Sequence, residues 1–443
     1  MVPTRIPWKW APLTRLCAAA LIALAAGAGG RAGPEPGGDE LRLAIILSRH
    51  GVRTPLIGPE ALEAIGGKAW PKWEAAPAIQ TPHGNQLMAL MGDYYRARLL
   101  RDGALSGAPS ADADRVFIRT DNDQRTIETG RILGKALSQV GDPEVHALAE
   151  GVTDPLFRPY EAHVGNADTS LAAASILGRM GGDPRNLDRA YARQFEELKG
   201  ILFGPGAAPG ADSVFSAPSS VSPGHGRSLV DFTGPFQGAL ETTDALLLEY
   251  VDSKPMADVG WGRMDEKGLL DVLSLHEAFF DMAERTRYPA QVGASNLASH
   301  IVDTLEQAAT GDSVPGALGP TGERVVVLVG HDTNLACLGG LFDMNWCIDG
   351  SQMNPTLPGS ALVIELWRHG GKDGPFFVRT TYVSQTLDQM RESAPLSLEH
   401  PPALAPIFVP GCSGAGPGYD APLAAFVRQA RRVIDPAFIA PEQ

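Results

Sequence analysis

Cysteine is scarce in this chain, four among 443 residues. Cys17 lies in a segment read below as removable, and Cys337, Cys347 and Cys412 remain. Three in this length cannot frame a disulfide scaffold, although Cys337 and Cys347 can pair and leave Cys412 free. No C-x-x-C or other zinc spacing occurs, so neither a metal site nor a cofactor is expected. Basic charge is also short: 37 Lys and Arg against 51 Asp and Glu give a net charge of −14. That excludes a nucleic-acid partner, because binding a phosphate backbone needs a basic footprint. Any anionic substrate must be held by local arginines against an unfavourable overall field. A long apolar run is missing too. The best stretch, Leu16 to about Ala28, is too short and too rich in Gly and Ala to span a membrane. Arg5, Lys9 and Arg15 precede or open it and Ala26-Gly27-Ala28 closes it with small residues, so residues 1–28 read as a signal peptide. The mature chain is then expected to be periplasmic or secreted, with no membrane attachment after cleavage. There is no internal repeat, and nothing in the sequence speaks to oligomeric state.

What is present is a set of apolar strands that each end in polar groups. Leu43–Leu47 runs into Arg49-His50-Gly51-Val52-Arg53-Thr54-Pro55. Arg115–Ile118 leads through Asp121 to Asp123-Gln124-Arg125-Thr126, and Val325–Val329 ends at Gly330-His331-Asp332-Thr333-Asn334. Continuous apolar strands fit a sheet covered by helices on both faces. Helical spacing follows two of them: Ile127, Ile132, Leu133, Ala136, Leu137 and Val140 behind an Asp123 cap, and Leu335, Leu338 and Leu341. Gly84–Leu100 predicts an amphipathic helix through Leu87, Leu90, Met91, Tyr94, Tyr95 and Leu99. Leu362–Trp367 and Phe376–Val383 read as late strands of the same sheet. Between about 147 and 288 the pattern turns helical, as in Ala190–Leu202 and Leu229–Val251, broken by a loop from Gly204 to Gly226. The expected fold is α/β, a central mostly parallel sheet flanked by helices with an inserted, mainly helical second domain. Residues 41–146 and 289–443 would form the catalytic α/β domain, and 147–288 a helical domain capping the cleft. Ligands of open α/β sheets sit beyond the carboxyl ends of the strands. That rule brings Arg49, His50, Arg53, Arg125, His331 and Asp332 to one edge.

Those residue types suit phosphate transfer. A neutral histidine can attack phosphorus and hold the group covalently, splitting one hard step into two. Arginines bind two oxygens at once and stay charged, and without a metal they must carry the electrostatic stabilisation. His50 is the candidate nucleophile, with Arg49, Arg53, Arg125 and His331 holding the phosphate. Asp332 is the candidate acid for the leaving oxygen. Thr54 and Thr333 are weaker candidates, since hydroxyls beside such motifs often cap helices. The tryptophans Trp70, Trp73, Trp261 and Trp346 and the histidines His83, His163, His225 and His276 are expected to be structural.

These motifs resemble the histidine acid phosphatase family, specifically its bacterial phytase and glucose-1-phosphatase branch. Weaker echoes lie in Asp154-Pro155-Leu156-Phe157, Gly260-Trp261-Gly262, Gln385-Thr386-Leu387 and Pro395-Leu396-Ser397-Leu398. The resemblance implies an α/β domain plus a helical domain with substrate between them. It implies His50 as the phosphorylated residue, Asp332 as proton donor, and Arg49, Arg53, Arg125 and His331 as phosphate ligands. Arg53 and Pro55 place the chain with the phosphatases rather than the mutases. Two departures stand out. Most of the relatives' disulfide cysteines are absent, and Leu56-Ile57 stands where phytases tend to carry a basic residue. The expected activity is a metal-independent acid phosphomonoesterase acting on small phosphate monoesters, phytate-like or broad. The alternatives are a narrower sugar-phosphate phosphatase and a non-catalytic phospholigand-binding protein.

Overall fold

Among the described residues, nine short or medium strands form two sheets: β1 Glu40–Arg49, β2 Val116–Thr120, β3 Ser220–Pro223, β4 Val230–Thr233, β5 Val325–Gly330, β6 Ala361–Arg368, β7 Phe376–Ser384, β8 Ala403–Pro406 and β9 Ala421–Pro422. The structure, a computed structural model, describes residues 38–204, 213–371 and 373–441; the expected signal peptide 1–28 lies outside them. The large sheet has the order β2-β5-β1-β6-β7-β8, with β9 also on β7. β1 and β2 both pair with β5 in parallel, while β6, β7, β8 and β9 add antiparallel strands. The expected α/β sheet with flanking helices is what the chain adopts, and its parallel part carries all three strand-end motifs.

β1 shows why a strand in this position is apolar throughout. Leu43, Ile45 and Leu47 face one hydrophobic cluster, and Leu41, Ala44 and Ile46 face another. β5 divides the same way, Val326 and Leu328 against Val325, Val327 and Val329. Burying each such side chain stabilises the fold by about 1.5–3 kcal/mol.

The helices Pro82–Arg101 and Gln124–Ser138 cover one face, burying Met88, Met91, Tyr94 and Tyr95, and Leu133 and Leu137. The other face packs Arg287–Thr310 and Asp332–Phe342. The core on that side continues without a break into Ala192–Phe203, Pro235–Val251 and Glu266–Ala283, through Leu198, Leu246 and Leu275.

Three expectations need correcting. Leu229–Val251 is not one helix, because residues 230–233 pair with 220–223 as a hairpin and Pro235 starts the helix, where its missing N–H is harmless. Asp123 occupies the N-cap position of Gln124–Ser138, yet its side chain makes no cap hydrogen bond; it is drawn off to two arginines. Cys337 and Cys347 do not pair: Cys337 is buried, Cys347 exposed, and both are free thiols like Cys412. Trp70, expected to pack, does so edge-on against Trp261 at 4.8 Å.

Candidate active site

Because β1 and β5 run side by side in register Arg49↔Gly330, His50 and His331 leave the sheet at the same edge. Their rings stand 5.6 Å apart, edge to face. The His50 N–H donates to the Gly330 carbonyl at 3.0 Å, and the His50 carbonyl accepts from Gly359 at 2.9 Å, so the backbone under the imidazole is fixed on both sides. Gly330 must lack a side chain, since a Cβ there would lie 2.3 Å from Asn334 Oδ1. That oxygen accepts the His331 N–H at 2.8 Å and starts the helix Asp332–Phe342. The helix N-terminus thereby faces the same edge and favours an anion there.

His50 is almost fully buried, 2% exposed. Its Nδ1 lies 2.9 Å from the Gly51 carbonyl. A carbonyl only accepts, so Nδ1 carries the proton and Nε2 keeps its lone pair. Burial first, then the charges of Arg125, Arg49, Arg53 and His331, push the imidazole pKa well below its ordinary value. The shift favours the neutral ring, the form in which a nitrogen can attack.

The arginines are held by acids. Arg49 lies beneath the site with Nη1 donating to Thr356 O at 2.6 Å and Nη2 2.9 Å from Asp332 Oδ2. Asp244 bridges the pair, 3.5 Å from Arg49 Nη2 and 3.2 Å from Arg53 Nη1. Arg125 Nη2 meets Asp123 Oδ2 at 2.6 Å. The Nε atoms of Arg49, Arg53 and Arg125 are buried without a hydrogen-bond partner in the protein. Burying such donors unmatched is costly, and an oxyanion is the group that matches three of them.

Arg49, Arg53 and His331 hold Asp332 at about 2, although burial alone would raise it. Asp121 is likewise held at about 2 against burial, by the hydrogen bond from His331 and by the charges of His331 and Arg158. Both are carboxylates before any phosphate enters.

His50, Arg53, Arg125, His331, Asp332 and Thr333 line one cleft of about 670 Å³. Thr54 is not among the lining residues; its hydroxyl donates to Ala76 O at 2.6 Å and pins the following loop. Asp244 and Arg158 are the site residues that sequence reasoning passed over. Asp244 projects half-buried from a helix that also carries the half-buried Glu241 and the buried Glu249, and acids on so heavily buried a helix are themselves a signal. Arg158 directly follows the Asp154–Phe157 motif. The hairpin β3–β4 was missed as well, and Arg227, Asp231 and Phe232 from it line the far wall.

Other carboxyls shift upward. Burial pushes Glu249 to about 8 and Glu284, which touches Cys337 Sγ at 3.2 Å, to about 7; Glu323 also reaches about 7. The native state binds these three protons more tightly than the unfolded chain, so stability falls as pH rises from about 4.5 through 7 to 8. For fully buried Glu249 the slope approaches about 1.4 kcal/mol per pH unit. Asp121 and Asp332 act oppositely, stabilising above about 3.8 and losing that contribution as pH falls toward 2. Melting temperature should therefore peak near pH 4–5 and decline toward pH 8, with E249Q flattening the decline. A maximum at pH 7 or above would contradict these shifts.

A nucleophile-poised histidine at the carboxyl edge of a parallel β-sheet core, ringed by arginines, defines the phosphate-transfer class. The profile of the histidine phosphatase superfamily (branch 2) matches residues 40–202 and 226–383. The phytase AppA of Escherichia coli is 33% identical over 384 residues, covering 84% of this chain and 87% of its own length. A glucose-1-phosphatase of Providencia rettgeri is 27% identical, covering 85% and 88%. Among solved structures, Hafnia alvei phytase in complex with myo-inositol hexakis sulphate superposes with a TM-score of 0.81 at 30% identity, over 92% of this chain and all of that one. The chain belongs to the histidine phosphatase superfamily, branch 2, and is a phosphoric monoester hydrolase.

Proposed function

We propose that the protein hydrolyses phosphate monoesters through a phosphohistidine at His50, with inositol polyphosphates of the phytate type as substrates. The observation that carries this is the His50 imidazole, with its proton on Nδ1 and Nε2 free, in a cleft lined by Arg53, Arg125 and His331 above the buried Arg49. Arg49, Arg53, Arg125 and His331 hold the non-bridging oxygens. Nε2 attacks phosphorus as the ester P–O bond breaks, and Asp332 gives its proton to the leaving oxygen. Water then attacks the phosphohistidine, returns a proton to Asp332, and leaves inorganic phosphate and neutral His50.

Asp332 must first gain a proton that the unliganded site denies it. A bound phosphate shares the charge of Arg49 and Arg53, the groups that hold Asp332 low, and so lets its carboxyl rise. A phosphate ester titrates near about pH 6, so in acid the substrate arrives carrying the proton needed. An acidic optimum follows.

The breadth of the cleft supports a multiply charged substrate. So do the inositol hexakis sulphate seated in the Hafnia phytase and the phytase named among the relatives. A sugar phosphate is the second reading, favoured by Leu56, which is half exposed on the cleft wall where a cation would suit a polyanion, and by the glucose-1-phosphatase relative. Residues 147–288, which supply Arg158, Arg227, Phe279 and Glu284 to the cleft, are read as a domain capping the α/β part at 41–146 and 289–443. Residues 1–28 are read as an export signal, with the mature enzyme periplasmic or secreted. No helix among the described residues is long and apolar enough to cross a membrane.

Phosphate release from phytate and from glucose 1-phosphate, compared at pH 4.5 with EDTA present, tests the substrate. Higher kcat/KM on phytate is expected. Preference for the sugar phosphate moves the enzyme to the second reading, and activity on neither sinks both.

A further inference from the structure

Beside the attacking histidine, Asp121, Asp123 and His331 each present one donor atom, all within 4.8 Å of one another. His331 Nε2 stands 2.6 Å from Asp121 Oδ2 and 3.6 Å from Asp123 Oδ2. Two carboxylates and an imidazole so placed are the donors that bind a divalent ion. The space is already taken. Arg158 Nε lies 2.7 Å from Asp121 Oδ2, its Nη2 contacts Asp123 Oδ2, and the same Nη2 is 3.3 Å from His331 Nε2. The backbone next to Arg158 is tied down: Phe157 O accepts from Asn334 Nδ2 at 2.8 Å, and Asp154 pairs with Arg119. The guanidinium is thus anchored to the first turn of the helix that carries Asp332.

Resting on the functional reading above, we infer that Arg158 is the resident cation of the Asp121–Asp123–His331 trio and a positioning residue for phosphate transfer. It fills the place of a divalent ion and divides the two carboxylates. Asp121 is left to orient His331, and Asp123 is shared with Arg125, 2.6 Å away. Without it, Asp121 is left with His331 and Asp123 with Arg125 as their charged partners, and the two carboxylates flank the phosphate site with less compensation. They would repel the substrate and pull Arg125 and His331 out of their poses.

The test measures cobalt binding and kinetics on R158A, R158K and the wild type. Wild type should show no visible Co²⁺ ligand-field band. R158A should bind Co²⁺ with such a band, and adding D123N should abolish it. In EDTA, R158A should lose roughly 100-fold in kcat/KM on p-nitrophenyl phosphate, the scale of a 1 Å misplacement. R158K, whose single ammonium cannot bridge both acids, should lose most of the same factor while folding as the wild type does. R158A without a cobalt band, or R158K with wild-type kinetics, overturns the assignment. A wild type that hydrolyses no monoester overturns the functional reading instead, and the cobalt result still judges the trio.

Discussion

Replacing His50 with alanine should lower kcat on every monoester by about 10⁴-fold or more, the scale seen when a covalent nucleophile is removed. The other imidazole lining the cleft, His331, has its Nε2 committed to Asp121 at 2.6 Å, and burial keeps the Cys337 thiol protonated. Melting temperature should change little, because the one side-chain hydrogen bond of the ring is local, to the Gly51 carbonyl. Brief incubation with ³²P-labelled substrate followed by alkaline quench should leave label on the wild type, since phosphohistidine survives base, and none on H50A. Label retained on H50A would place the covalent step elsewhere.

The second large effect concerns Asp332. D332N keeps the shape and the helix start but has no acidic proton, so hydrolysis of alkyl phosphates should fall by about 10²–10⁴-fold. Nitrophenyl phosphate, whose leaving group departs as a stable anion, should be slowed far less. Equal slowing of both would remove Asp332 from the proton-donor role and leave it as an arginine partner only. A second consequence follows from its 2.9 Å contact with Arg49. Neutralising it releases Arg49 for the incoming oxyanion, so D332N should bind inorganic phosphate more tightly than the wild type while turning over more slowly. A lower Ki for phosphate together with a lower kcat is the pattern to look for.

Much of the site was legible because its parts sit at the ends of apolar runs. Leu43–Leu47 and Val325–Val329 are apolar without a break and buried on both faces, so the first polar groups after Leu47 and Val329 mark where the sheet edge begins. The resemblance of the motifs then supplied the roles. Pairing direction was less legible. β6 is buried along Ala361–Trp367 as fully as β5 is, so composition does not separate an antiparallel strand from a parallel one. Arg158 and Asp244 were missed for a different reason: each acts only through partners remote in sequence. Arg158 meets His331, 173 residues away, and Asp244 meets Arg49 and Arg53 from a helix whose periodicity reports packing alone. The hairpin at 220–233 was absorbed into a helix because Val230, Phe232 and Phe236 continue an apolar rhythm that suits either structure until Pro235 decides it.

The placement of β5 in the sheet has a consequence for how the enzyme comes into being. It is an interior strand, hydrogen-bonded to β2 on one side and β1 on the other, yet it is made more than two hundred residues after β2. Until it is inserted, β1 and β2 have no partner between them, and His50 and Arg125 belong to two disconnected edges. Such long-range closure is slow and all-or-none. A nascent or truncated chain ending before Val325 is therefore expected to be not a weakened phosphatase but an inert one, active only once the last quarter of the polypeptide fills the gap.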